Sequence, residues 1–157
     1  MQKLVTFLFV LLIGVLPTIA ENKFPEYEIS GAGTGAQGTY LVKVSVLTKD
    51  KKPANSVLTR AAVHGVLFRG FSNKELRQNQ KPLAGSAANE AQHPDYFNNF
   101  FAEGGAYANY AETVSGSREV VKSGKQYKIS AVVTINKEQL RKDLESAGII
   151  HGLNSIF

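Results

Sequence analysis

The chain has 157 residues, with 18 Lys and Arg against 13 Asp and Glu and a formal net charge of +5 at pH 7. Because basic residues are interleaved with acidic ones throughout, this mild excess predicts ordinary solvated surfaces and no nucleic-acid partner. The chain contains no cysteine, which excludes disulfides and thiolate metal sites, so burial of apolar side chains must hold the fold together.

The N-terminal segment is typical of a secretory signal peptide. Lys3 precedes a mainly apolar run, and small residues stand at the positions that a signal peptidase reads. About 13 apolar residues are fewer than the roughly 20 that a membrane-spanning helix needs, so we prefer a signal peptide to a membrane anchor. We predict a signal peptide at residues 1–20, cleaved between Ala20 and Glu21. Residues 21–157 are then predicted to form a single domain that is exported, periplasmic or secreted, soluble and without a membrane span.

Two segments of alternating polarity, near 26–33 and 38–48, predict neighbouring strands. The glycine-rich segment 31–38 between them suggests a phosphate-binding loop at first sight. Such a loop must open a helix, whereas the residues after Gly38 alternate as in a strand. We therefore interpret this segment as a bulged or hairpin connection.

A short helix is predicted near 54–64, where Pro53 suits a first helical position and small apolar residues follow at spacings of three and four. Gly65 is a good residue for a helix C-terminus, so a short strand is expected near 66–71. Continuation of the helix to Phe68 is the alternative.

The apolar pattern disappears over residues 72–92. Structureless loops of this length are uncommon in compact domains and are usually functional or disordered. The segment is therefore either a disordered or plain excursion, or a lid or binding loop. A helix near 93–103 follows, and its aromatic residues are interpreted as a core face in preference to a ligand cage: Phe97, Phe100 and Phe101.

Strands are predicted near 106–115, 118–123 and 126–135, the last two joined by a tight turn at Ser123 and Gly124. The period then changes from two to about 3.6, which predicts a strand that leads directly into a helix near 137–147.

Asn136 is a good N-cap for this last helix, Gln139 stands at the reciprocal capping-box position, and Gly148 should end the helix. The apolar residues of the tail are expected to pack back onto the core: Ile149, Ile150, Leu153, Ile156 and Phe157.

These elements predict an α+β fold, a mainly antiparallel sheet with about three helices packed on one face, because each helix has a single apolar stripe to bury. The opposite sheet face would mix apolar and basic side chains, which is ordinary for a modest interface. We predict that it forms a partner surface and name four of its residues: Leu41, Lys43, Lys128 and Val132.

No motif in the chain carries recognisable chemistry. The histidines His64, His93 and His151 lack the spacing of a helical metal pair or of an HExxH motif, and no serine lies in a GxSxG elbow. We predict no catalytic residue, no metal and no cofactor. The alternative is a small-molecule or hydrolase site in a pocket under residues 72–92, served by His64 or His93.

Three segments carry a resemblance to known families: the glycine-bearing first strand at 27–33, the small-residue helix segment Arg60-Ala61-Ala62-Val63, and the ending at 127–140. Together they resemble the N-terminal modules of LPP20-type proteins and of flagellar assembly protein T in bacterial envelopes. Segments 62–68 and 115–119 are similar to those of small secreted proteins of Bacteroidetes. The resemblance implies an envelope-associated fold and no assigned catalytic residues.

Together, the signal sequence, the missing catalytic pattern and the resemblance predict an exported, non-enzymatic, envelope-associated module. It would bind a protein partner or an envelope component, and a homo-oligomer is compatible with the same surface.

Overall fold

The structure is a computed structural model that describes residues 23–152. The predicted signal peptide at 1–20 lies outside the described residues, as do Leu153, Ile156 and Phe157 of the tail. Within the described range, none of the helices combines the length and the apolar character that crossing a membrane would require.

Two antiparallel sheets contain the strands of the described part. The larger sheet has the order β1-β2-β7-β5, with β6 also paired to β7, and the smaller sheet is the hairpin β3-β4. The strands are β1 (Tyr27–Gly33), β2 (Thr39–Thr48), β3 (Phe71–Asn73), β4 (Gln78–Gln80), β5 (Ala111–Thr113), β6 (Glu119–Ser123) and β7 (Gln126–Asn136).

Three helices have seven residues or more, and their apolar residues point toward one face of the larger sheet. The helices are α1 (Asn55–Phe68), α2 (Ala88–Gln92), α3 (Pro94–Phe100) and α4 (Lys137–Ser146), with a 3₁₀ turn at Ala106–Asn109. The predicted α+β class, with a mainly antiparallel sheet, is confirmed.

Alternation along the two central strands decides which residues enter the core. β2 and β7 are antiparallel neighbours, with Val42 opposite Val133 and Val44 opposite Ala131. These four side chains have essentially no exposed surface. Because successive side chains of a strand point to opposite faces, the intervening residues must lie on the face that the helices leave open.

The prediction that α1 ends before a strand at 66–71 is wrong, and the alternative of a helix reaching Phe68 is correct. Gly65 lies inside α1, where an added Cβ would come within 2.8 Å of Ile29 Cδ1. Glycine therefore serves the close approach of helix and sheet at this position. The helix ends at Phe68, and Gly70 follows its C-cap with a φ of +69°; the N–H of Gly70 donates to the carbonyl of Gly65 at 2.9 Å.

The predicted strand at 106–115 is only partly correct, because its first half is the 3₁₀ turn. A strand would place Tyr107 and Tyr110 on opposite faces, whereas residues three apart lie on the same side of a 3₁₀ turn. Both rings pack on the aromatic cluster of α3: Tyr107 stacks on Phe101 with centroids 6.1 Å apart, and Tyr110 stacks on Phe100 at 5.9 Å. Within the predicted strand at 106–115, the part that forms a strand and pairs with β7 is Ala111–Thr113.

Residues 72–92 hold the β3-β4 hairpin and α2, so the expected structureless excursion is not observed. Polar side chains attach the hairpin to β1, since Asn73 donates to the carbonyl of Gly31 at 2.8 Å and Gln78 to that of Gly33 at 2.7 Å. Beyond the hairpin, the N–H groups of Leu83 and Ala84 donate to the last carbonyls of α1. Because these contacts are made by amide side chains and backbone groups, they require no regular spacing of apolar residues in the sequence.

The predicted start of α4 is confirmed in its main feature. The side-chain oxygen of Asn136 accepts a hydrogen bond from the N–H of Gln139 at 3.1 Å. The reciprocal bond of a capping box is absent, because the N–H of Asn136 already donates to the carbonyl of Tyr110. The Gln139 side chain bonds Asp143 instead. Gly148, with φ +71°, follows the helix as predicted.

Candidate functional site

The face of the larger sheet that no helix covers is called here the outer face. Directly opposed residues on antiparallel strands share a face, so the register identifies its members. In strand order they include Glu28 and Ser30 on β1; Leu41, Lys43, Ser45 and Leu47 on β2; Lys128, Ser130, Val132 and Thr134 on β7; Glu119, Val121 and Ser123 on β6; and Glu112 on β5.

All four residues that the sequence named as a partner surface lie on the outer face, and two of them are in direct register. Lys43 is opposite Val132 on the neighbouring strand, while Leu41 is opposite Thr134 and Lys128 is opposite Leu47. The aliphatic side chains of this group are half-buried. None of the side chains on the outer face is aromatic.

Each lysine of the outer face forms an ion pair with a glutamate from another strand. Lys43 Nζ lies 2.9 Å from Glu119 Oε2, and Lys128 Nζ lies 2.6 Å from Glu28 Oε2. The two lysine side chains remain 42% and 45% exposed, so these pairs contribute little to stability. They do change the character of the surface: with Glu112 included, three glutamates stand against two lysines, so the outer face is slightly acidic and not basic.

At the middle of the outer face, a part-buried polar contact joins the two central strands. The hydroxyl oxygens of Ser45 and Ser130 are 2.7 Å apart, and Ser130 is only 6% exposed. Toward one end the surface forms a shallow depression of about 190 Å³, lined by residues that include Glu28, Leu47 and Lys128. The outer face therefore combines a fixed polar centre with apolar side chains and paired charges.

A second arrangement of polar side chains lies on the other side of the sheet, around His64 of α1. The hydroxyl of Tyr27 is 2.5 Å from His64 Nδ1, and both carboxylate oxygens of Glu90, on α2, are 3.2 Å from His64 Nε2. His64 is 9% exposed and its ring packs against Phe24 with centroids 4.0 Å apart. Tyr27, His64 and Glu90 form a hydrogen-bonded chain that we call the His64 network.

Burial sets the protonation states in the His64 network. It lowers the pKa of His64 to about 4, with further lowering by the nearby guanidinium groups of Arg69 and Arg60. At neutral pH the imidazole is uncharged, so its contact with Glu90 is a hydrogen bond and not an ion pair. Burial also raises the pKa of Glu90 and raises that of Tyr27 to about 12. The consistent assignment is that Tyr27 donates to Nδ1 and that Nε2–H donates to the carboxylate.

His64 and Glu90 line a cleft of about 480 Å³ between α1, α2 and α3, with mainly apolar walls that include Phe97 and Phe101. Both ring nitrogens of His64 are occupied, whereas the carboxylate of Glu90 keeps accepting capacity for a ligand. None of the described residues that line the cleft is a serine, threonine or cysteine, the common nucleophiles of hydrolases. Across residues 23–152, no group of three or more His, Asp and Glu side chains could hold a metal ion.

His93 does not lie in the cleft of His64. It connects α2 to α3 and lines a separate cleft of about 480 Å³ whose walls include Arg141, Ile149 and His151. The two histidines that the sequence offered as alternatives for such a pocket thus line two separate surface clefts on either side of α2.

Tyr27 and Glu90 were missed by the sequence reasoning. Tyr27 lies 37 residues before His64 and Glu90 lies 26 residues after it, so no local spacing connects them. Glu28 and Glu119 were missed for a similar reason, because their lysine partners are defined only by the register of four neighbouring strands.

We compared the chain with protein-family descriptions, with curated proteins and with solved structures, and none of the three comparisons found a match.

Proposed function

We propose that the protein is an exported, non-enzymatic binding module of the cell envelope that uses the outer face to hold a partner protein. The observation that carries the proposal is an open sheet face with half-buried leucine and valine side chains between paired charges. One-sided antiparallel sheets usually alternate apolar residues inside with polar residues outside. Here Leu41, Leu47 and Val132 interrupt the polar side of that pattern.

The charge of the outer face favours a protein over an anionic envelope component. Anionic lipid head groups bind to surfaces with an excess of lysine and arginine. Lys43 and Lys128 are each matched by a glutamate on the outer face, so they supply no such excess. Apolar contacts surrounded by charges of both signs are typical of modest protein–protein interfaces.

The His64 network supports a non-enzymatic function for this protein. A general base or acid must reach the proton that it transfers. His64 is buried, and its two nitrogens bond Tyr27 and Glu90. Its arrangement is that of a satisfied polar group in the core, and the described lining of the cleft offers no hydroxyl or thiol nucleophile.

Leu41→Glu is the sharper test of the outer face, because Leu41 opposes Thr134 and the new carboxylate has no lysine directly across from it. At position 132, Val132→Lys is preferable to Val132→Glu, since Lys43 lies directly opposite and a glutamate there could pair with it. We expect both variants to lose the partner and to melt close to the parent temperature.

The measurement is capture from an envelope extract, with the mature parent and each variant as bait. Leu76→Glu is the matched control, because Leu76 is an exposed apolar residue in the β3-β4 turn, away from the outer face. A protein captured by the parent and by the control, but not by Leu41→Glu, supports the proposal. Equal capture by all baits shows that the outer face is not the interface. Unfolding of Leu41→Glu shows that Leu41 belongs to the core.

The cleft beside His64 favours a second candidate function, the binding of a small molecule. The Glu90 carboxylate, which keeps accepting capacity beyond its bond to His64, lines this cleft beside mainly apolar residues. A ligand with an amine and an apolar body would match this arrangement. Titration calorimetry with hexylamine tests it: binding that Glu90→Gln abolishes supports this function, and absence of heat for the parent rejects it.

A further inference from the structure

The edge strand β6 is the most exposed element of the larger sheet. Strand β7 has β2 on one side along nearly its whole length, so β6 and β5 share its other side. All five residues of β6 are exposed, and within residues 23–152 its far side makes no backbone hydrogen bond to another segment. Unpaired N–H and C=O groups on such an edge are a template for pairing with a further strand.

Among residues 23–152, most of the large exposed apolar side chains lie on β6 or in the segment that leads into it. Among the described residues, the large apolar side chains with high exposure are Leu76 and three valines, and the valines are Val114, Val120 and Val121. Val120 is 42% exposed and Val121 is 59% exposed, on opposite sides of β6. A single exposed valine needs no explanation, but a group of them on an unpaired edge indicates an association site.

The segment before β6 is held in place, so the edge is prepared for pairing. The side-chain oxygen of Ser117 accepts a hydrogen bond from the N–H of Val132 at 3.0 Å. Arg118 donates to the carbonyl of Pro53 at 2.6 Å and to the side chain of Asn55 at 3.0 Å. A strand that is already ordered loses less conformational entropy when it pairs.

We propose that β6 pairs antiparallel with β6 of a second copy of this chain, which joins two larger sheets across a two-fold axis. Antiparallel pairing of identical strands is self-complementary, as an interface of two-fold symmetry must be. The charge of the strand fits this occupant: β6 carries one glutamate and one lysine and is neutral, while the whole chain has a net charge of +5. A strongly basic edge would instead repel its copy.

The two-fold axis has one favourable position. If the two copies form one continuous sheet, the two-fold axis is perpendicular to that sheet. Each outer-face residue of one β6 must then lie opposite an outer-face residue of the other β6. With the axis at Val121, this valine meets its own copy, Glu119 opposes Ser123, and the stem of Lys122 lies against Val120. Moving the axis to Val120 would place Arg118 opposite Lys122, and like charges directly opposed on neighbouring strands are destabilising.

In this arrangement the two outer faces lie on the same side of one extended sheet. A dimer would present two partner-binding faces together, although the inference does not depend on the proposed partner. Pairing over five residues buries a small area, so we expect a weak dimer, with a dissociation constant of roughly 10–100 µM.

Sedimentation equilibrium of the mature chain at roughly 5–200 µM brackets that range. We expect the parent to dimerise and Val121→Lys to raise the dissociation constant at least about tenfold, because like charges would oppose each other at the axis. Leu76→Lys is the matched control, with a similar exposure and the same added charge, and should dimerise like the parent. A parent that stays monomeric over this range overturns the proposal, as does a dimer that Val121→Lys leaves unchanged.

A single-cysteine variant tests the position of the axis and does not depend on whether the lysine variant folds. The natural chain has no cysteine, so Val121→Cys can form a disulfide only with a second copy. We expect it to cross-link much faster than Leu76→Cys under mild oxidation. Equal rates would overturn the register. Leu41→Glu should leave dimerisation intact, which separates a failure of this inference from a failure of the proposed partner surface.

Discussion

Acidification is expected to destabilise the protein through His64. Burial lowers the pKa of this side chain from 6.5 to about 4 in the folded state. Between these two pH values the unfolded chain binds a proton that the folded chain does not, so the free energy of unfolding rises with pH across the window. The stability that depends on an uncharged His64 is fully present above about pH 6.5 and is lost as the pH falls toward 4.

The magnitude follows from the size of the shift. One pKa unit corresponds to about 1.36 kcal/mol, so a shift of this size contributes about 3 kcal/mol at neutral pH. That is a large fraction of the roughly 5–15 kcal/mol that stabilises a typical domain. Burial of His64, whose side chain is 11% exposed, is the largest cause, and the positive charges of Arg69 and Arg60 act in the same direction.

Glu90 opposes this effect in part. Burial raises the pKa of its carboxyl group, so the folded state takes up that proton at a higher pH than the unfolded state does. Acidification near that pKa therefore favours the folded form. Glu90→Gln removes this opposing contribution and leaves His64 in place, so we expect it to steepen the dependence of stability on pH.

Urea unfolding at pH 7, 6, 5 and 4 measures the effect. His64→Gln cannot titrate at this position, whereas His93, His151 and the acidic residues remain the same in both proteins. We expect the free energy of unfolding of the parent to fall by about 3 kcal/mol more than that of His64→Gln between pH 7 and 4. Parallel curves for the two proteins would refute the reasoning, because they would show that His64 titrates alike in the folded and unfolded chain.

Three further substitutions test the packing around the site and the ends of two helices. Tyr27→Phe leaves His64 Nδ1 without its donor, and we expect a loss of about 1–3 kcal/mol in urea unfolding at pH 7; a loss of a few tenths would show that the bond is not formed. Asn136→Ala removes the N-cap of α4 and should lower stability by about 1 kcal/mol, whereas Asn136→Asp keeps the acceptor and should not. Gly70→Ala forces a Cβ to within 2.2 Å of the Gln80 carbonyl oxygen and should destabilise the protein more than Gly85→Ala, where φ is +85° and the space is open; equal melting temperatures would contradict this contact.

Local periodicity predicted the elements whose apolar residues face the core in a regular way. The alternation along β7 identified the inward row that ends at Val133 and Ile135, and the change of period at Asn136 located the start of α4. Alternation along β2 and β7 also placed Leu41 and Val132 on the face opposite to the helices. These predictions held because the side-chain period of a strand is a property of the backbone alone.

Prediction of secondary structure from the sequence failed at residues whose conformation depends on contacts with distant parts of the chain. Gly65 has the sequence context of a helix end, but its small size serves the contact between α1 and Ile29. Tyr107 and Tyr110 suit a strand by composition, yet the aromatic rings of α3 hold them in a 3₁₀ turn. The β3-β4 hairpin is attached by amide side chains and gives no apolar signal.

By itself, the sequence determined the α+β class, the inward and outward rows of the central strands and the capped start of α4, because each of these depends on neighbours within a few residues. The tertiary structure alone decided the His64 network, the separation of His64 from His93, the ion pairs of the outer face and the unpaired edge at β6. Those features join residues 26 to 100 positions apart. Their geometry depends on strand register and helix placement, which the whole core establishes together.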